Sequence, residues 1–117
     1  MGAACRRVLQ LIGDGAIKAV ASVEMIQEVV FHRQRRAGDA AAATGVAEDL
    51  MEAVTLVDFD RPVLVESLRL VRSGQARGRD AVHAATALVA GVPVIITPDS
   101  DFDGIPGLRR IDPTDVA

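Results

Sequence analysis

The amino-acid sequence predicts an α/β fold, with a short, mainly parallel sheet flanked by helices. Two observations carry that expectation. Helical stretches alternate along the chain with short β-branched runs, the pattern of strand–helix–strand units. Residues 79–102 then spell out one such half-unit. An alanine-rich helix opens on Asp80 and stops at Gly91, an apolar run follows from Val92 to Thr97, and the chain enters a loop carrying Asp99 and Asp101. At 117 residues, half of them apolar and a quarter charged, the chain is expected to build one domain (1–117) around one core without staples.

The elements follow in order. Ala4, Val8, Leu11 and Ile12 share one helical face, and Gly13 and Gly15 end that helix. Ala16 to Ala21 reads as a short strand. Ser22 is a good N-cap for a helix running to Ala37, with Glu24 in its first turn and Gly38 as its stop. Asp39 caps a helix from Ala40 to Met51, weakened by Gly45. Ala53 to Val57 reads as a strand. Asp60 caps a further helix with Pro62 in its first turn, and Leu64, Leu68 and Val71 form its apolar stripe. After the acidic loop, Leu108 to Ile111 is a last short strand. In parallel sheets ligands bind beyond the carboxyl ends of strands, and Asp99 and Asp101 lie at such an end.

Composition narrows the chemistry. The net charge of −3 argues against broad electrostatic capture of nucleic acid but leaves room for a local basic rim. Lys18 is the only lysine among thirteen basic residues, and arginine holds phosphate bidentately. With three Phe and no Trp or Tyr, aromatic platforms for base stacking are scarce. Cys5 is the lone cysteine, so no disulfide framework and no thiolate metal site is expected. No apolar run approaches the roughly 18 residues of a membrane span. Cys5-Arg6-Arg7 leads into an amphipathic stretch, not a secretory core. A cytoplasmic protein is the expectation.

The candidate site is acidic. Asp99, Asp101 and Asp103 stand at alternate positions and repel one another, which raises their affinity for protons unless a cation compensates. A hard divalent ion such as Mg²⁺ or Mn²⁺ is the natural compensation. Asp99-Ser-Asp-Phe-Asp-Gly104 also matches the first half of a calcium loop, but Arg110 stands where the closing Glu is required. Asp80 reads first as a helix N-cap, and the same first-turn N–H groups would also orient it as a metal ligand. Glu28 sits on a rather apolar helix that directly follows a strand, which places its first turns beside the strand ends; a plain surface Glu is the alternative. His83, one turn after Asp80, suits a supporting role or simple packing against the sheet. His32 with Arg33, Arg35 and Arg36 reads as a solvated basic helix end. Arg33, Arg36, Arg77 and Arg79 are the candidates for phosphate contacts. No G-x-S-x-G elbow and no glycine-rich phosphate loop is present.

The run from Arg79 through Asp80 and His83, then Gly91 through Thr97, Asp99, Asp101 and Phe102, then Ile105-Pro-Gly107 and Asp112-Pro113, resembles the C-terminal half of a PIN domain. Gly15 to Arg36 resembles that family's second strand and following helix. The subfamily it is most similar to is the toxin half of VapBC-type toxin–antitoxin pairs. The resemblance implies a Mg²⁺- or Mn²⁺-dependent ribonuclease, a homodimer, and inhibition by an antitoxin peptide lying across the site. It assigns Glu28, Asp80, Asp99 and Asp101 to the metal and to catalysis, with Thr97 and His83 beside them. The family's opening strand, which ends in the first metal-binding Asp, has no counterpart in these residues. Either two strands close up over its central place, or a second chain or upstream segment supplies it. The same gap leaves a second expectation open: a non-catalytic module of this fold that binds an antitoxin-like partner or dimerises.

Overall fold

The computed structural model describes residues 3–116. Five helices and four strands alternate as expected: α1 (Ala3–Gly13), β1 (Val20–Ser22), α2 (Val23–Ala37), α3 (Ala40–Ala53), β2 (Thr55–Val57), α4 (Arg61–Arg72), α5 (Gly78–Val89), β3 (Val94–Ile96) and β4 (Arg109–Ile111). Short 3₁₀ turns occupy Ser100–Phe102 and Pro113–Asp115. All strand pairing among the described residues is parallel. β1 pairs with β2, with Val20 opposite Thr55, and β3 pairs with β4, with Val94 opposite Arg109. These are two separate two-stranded sheets among the described residues, so the strands do not close up into one ladder. Helix α5 contacts β1 of one sheet and β3 of the other.

The strands are shorter than the apolar runs that predicted them, because neighbouring helices hold the ends of those runs. Ala16 and Ile17 both donate to the Leu11 carbonyl (2.9 and 3.3 Å) and finish the turn after α1, so β1 starts only at Val20. Val54 still donates to Leu50 (3.0 Å), and Val92 donates back to Ala87 (2.9 Å). Each removes a residue from the following strand.

Three caps form as the sequence indicates. Ser22 Oγ accepts from the Met25 N–H, Asp39 Oδ1 from Ala42 and Asp60 Oδ1 from Val63. Gly38 closes α2 in the left-handed conformation at φ 66°, which glycine adopts without a Cβ penalty. Asp60→Ala is expected to cost about 1 kcal/mol, a typical N-cap loss, read as a lower urea midpoint with an unchanged slope.

Two expectations need correction. Helix α5 does not open on Asp80. Gly78 takes φ 57°, the chain turns there, and α5 begins at Gly78 with Arg77 at the cap position and no side-chain cap bond. Asp80 is therefore a first-turn residue whose carboxylate is not spent on capping. The second correction concerns α4. Its buried side is Val63, Ser67 and Leu70, whereas Leu64, Leu68 and Val71 are 44, 51 and 49 % exposed. The helix carries two apolar stripes about 100° apart, and Ser67 disguises the inner one. Its hydroxyl is satisfied locally, donating to the Leu64 carbonyl at 2.8 Å, so it sits in the core without an unmet hydrogen bond.

The core lies between α4 and α5 and the segment after β3. Val63 and Leu70 meet Ala81, Ala84 and Ala85, with Phe102, Ile105 and Leu108 closing the far side. The alanines let the two helices approach closely. This packing fixes α5 against the loop that carries Asp99 and Asp101. No helix among the described residues is long and apolar enough to cross a membrane.

Candidate metal centre

Asp80, Asp99 and Asp101 converge. One carboxylate oxygen from each lies within 4.8 Å of the others. Each is placed by local structure. The α5 N-terminal turn presents Asp80. Asp99 follows β3 by three residues, and its backbone N–H donates to Thr97 Oγ1 at 3.2 Å. Asp99 Oδ1 in turn accepts from the Asp101 N–H at 2.9 Å and caps the 3₁₀ turn. Thr97 thus sets Asp99, and Asp99 sets Asp101. Phe102, the next residue, is buried in the core and anchors the loop from below.

Electrostatics marks the cluster as cation-seeking. Partial burial pushes the Asp80 carboxyl above its ordinary range, and the nearby Asp99 and Asp101 charges push the same way, with His83 and Arg77 opposing. Asp99 and Asp101 are exposed to solvent. Two oxygens on opposite sides of a Mg²⁺ sit about 4.2 Å apart and adjacent ones about 3 Å, so three oxygens within 4.8 Å need only a small closure to share one ion. An all-carboxylate donor set suits Mg²⁺ or Mn²⁺ and does not suit soft metals.

Asp103, the third acid of the loop, stays out of the group. Arg110 holds it through two bonds, Nε to Oδ1 at 2.8 Å and Nη2 to Oδ2 at 3.3 Å, and keeps its carboxyl below the usual range. Half of the expected crowding is thereby relieved by an arginine that was read from sequence only as a mismatch to a calcium loop.

The remaining predicted residues fall in two places. Arg77 lines a small cleft of about 330 Å³ with Asp80 and Asp101. Gln75 lines it too, and its buried Oε1 has no hydrogen-bond partner; nothing in the sequence drew attention to it. Glu28 does not join the three aspartates. It bridges α2 to α5, 3.6 Å from Arg79 Nη1 and 3.5 Å from His83 Nε2. Glu28, His83, Arg33, Arg36 and Arg79 line a larger open groove of about 1240 Å³ between those helices. The larger concavity is thus the more basic one, and Asp80 and Asp101 line the smaller. His32, Arg33, Arg35 and Arg36 are all exposed, as a solvated helix end should be.

The sequence matches the family described as PIN domain over residues 3–108. No curated protein matches it significantly. Among solved structures the fold is similar to that in the crystal structure of DNA-bound VapBC from Salmonella typhimurium. The TM-score is 0.68 at 20 % identity, over 96 % of this chain and 86 % of that one.

Proposed function

This chain belongs to the PIN-domain family, and we propose that it is a Mg²⁺- or Mn²⁺-dependent endoribonuclease of toxin–antitoxin type. The observation that carries the reading is the convergence of Asp80, Asp99 and Asp101. A divalent ion held there would lower the pKa of a bound water and supply a positive charge for the leaving oxygen of a phosphodiester. The chain's own residues do the rest. Thr97 and the 3₁₀ turn hold two carboxylates at fixed positions. Arg77 and Arg79 both precede Asp80, the first lining the small cleft and the second the groove, and supply cations for phosphates there. The likeness to a VapBC structure supports an antitoxin protein as partner, and the family resemblance supports a homodimer.

The test is cleavage of a single-stranded RNA with Mn²⁺, with chelator, and with Asp99→Asn protein. Cutting that needs Mn²⁺ and falls at least 100-fold in the variant is expected, since even residues that only support a metal ligand cost 10–100-fold. RNA left intact by the wild-type protein with Mn²⁺ would sink the nuclease reading. A second reading, a non-catalytic module that binds an antitoxin-like partner, is favoured by one observation: Glu28 is tied to Arg79 and His83 and not grouped with the aspartates. It predicts partner binding or self-association without any cutting.

A further inference from the structure

The chain has three aromatic residues, and two of them are exposed, Phe31 the more so. Phe102 is 4 % exposed, Phe59 40 % and Phe31 59 %. Phe31 sits on α2 and lines the large groove between α2 and α5. Burying a Phe side chain is favourable, so an exposed one on an otherwise cationic rim offers a face to a ligand. The Arg35 guanidinium lies over the ring, 5.6 Å from its centroid.

The surroundings specify that ligand. Arg33, Arg35, Arg36 and Arg79 line the groove against Glu24 and Glu28, and Glu28 is already engaged by Arg79 and His83. The groove is therefore positive in a chain whose net charge is −3. An apolar protein surface laid over it would have to desolvate exposed arginines at a cost. A polyanion with flat apolar faces meets both features at once: phosphates for the guanidiniums and a base for the ring. In a duplex the base faces are already stacked, so the fitting form is a single strand.

Position ties the groove to the acidic cluster. Phe31 lies three residues along α2 from Glu28, one turn away, and Glu28 contacts Arg79 on the first turn of α5. Arg79 directly precedes Asp80. A strand running from Phe31 past Arg79 is delivered to the turn that presents Asp80.

We propose that Phe31, backed by Arg35, is a nucleobase-stacking subsite for single-stranded nucleic acid, with Arg33, Arg36 and Arg79 holding the flanking phosphates. The inference rests on the nuclease reading for the identity of its ligand, and its test separates the two. Anisotropy of an end-labelled oligouridylate is measured with chelator present, so that nothing is cut. Phe31→Ala and Phe31→Leu proteins are expected to bind roughly 5- to 150-fold more weakly than wild type, the range seen for loss of one base–aromatic stack. Phe31→Trp protein should bind as tightly or tighter. An abasic strand of equal charge should bind wild type and Phe31→Ala protein alike. Because Phe31 is exposed, these variants should melt as wild type does. Equal affinity of wild type for abasic and base-bearing strands, undiminished binding by Phe31→Leu protein, or no RNA binding at all would overturn the subsite. So would a Phe31 effect confined to a protein partner. With Mn²⁺ in place of chelator, RNA bound in a Phe31-dependent way but left uncut defeats the nuclease reading and leaves the subsite standing. RNA cut at the wild-type rate by Phe31→Ala protein under subsaturating substrate does the reverse.

Discussion

Asp80→Asn protein is expected to lose its response to divalent metal while remaining folded, and to cut RNA at least 100-fold more slowly. The reasoning starts from the helix. Had Asp80 been the N-cap of α5, Asn would replace it with little change, because both residues cap well. It is instead a first-turn carboxylate without a cap bond, pointed at Asp99 and Asp101. Wild-type protein at Mn²⁺ a hundredfold above its dissociation constant gains about 2.7 kcal/mol, a melting shift of roughly 10 °C for a chain of this size. The variant should show little or none of it. Mn²⁺ stabilising Asp80→Asn protein as much as wild type would remove the cluster as the binding site.

The metal-free proteins give an independent readout through pH. Burial and two neighbouring charges hold Asp80 protonated to a higher pH in the folded state than in the unfolded chain. Between the unfolded carboxylate range and that raised value, the folded state binds more protons, so stability falls as pH rises through the window. Above the window Asp80 is a charged group disfavoured by folding, and Asn relieves it. Metal-free Asp80→Asn protein should therefore melt higher than metal-free wild type near neutral pH, with the advantage vanishing in acid. With saturating Mn²⁺ the order reverses. A merely structural carboxylate would not produce that crossover.

What the sequence made legible was whatever depends on a few adjacent residues. Ser22, Asp39 and Asp60 were readable as caps because an N-cap bond spans three residues. The parallel α/β pattern was readable from alternation, and the pairing of Asp99 with Asp101 from their spacing. Features decided by long-range packing were not legible. Arg110 reaches back seven residues to take Asp103 out of the acidic group, and no local rule points there. Glu28 meets Arg79 and His83 across two helices, whereas its place on the chain suggested the strand ends or a plain surface position. The opening of α5 was misplaced because Gly78 reads as loop, yet its positive φ is what turns the chain into the helix. Phe31 drew no attention, since one Phe in an amphipathic helix reads as core until its exposure is known.

The orientation of α4 yields the second large effect. Leu70→Ala is expected to destabilise the protein by about 2–5 kcal/mol, lowering the melting temperature by roughly 10 °C or more. Leu70 is fully buried, packed in the cluster that joins α4 to α5 and to Phe102, so truncation opens a cavity where alanines on α5 are too small to fill it. Leu68→Ala, two residues earlier on the same helix and 51 % exposed, should cost under about 1 kcal/mol in dilute protein, as surface substitutions do. The contrast is a direct measure of which stripe faces inward. Equal losses at both positions would mean that α4 is rotated relative to this packing. A Leu68→Ala loss that grows with protein concentration would carry a different meaning: the outer stripe of Leu64, Leu68 and Val71 would then be buried against a second copy, because only association makes a melting temperature depend on concentration. Val71 also lines the cleft that holds Asp80 and Asp101, so such an interface would border the acidic site, and its formation would be expected to alter metal binding there.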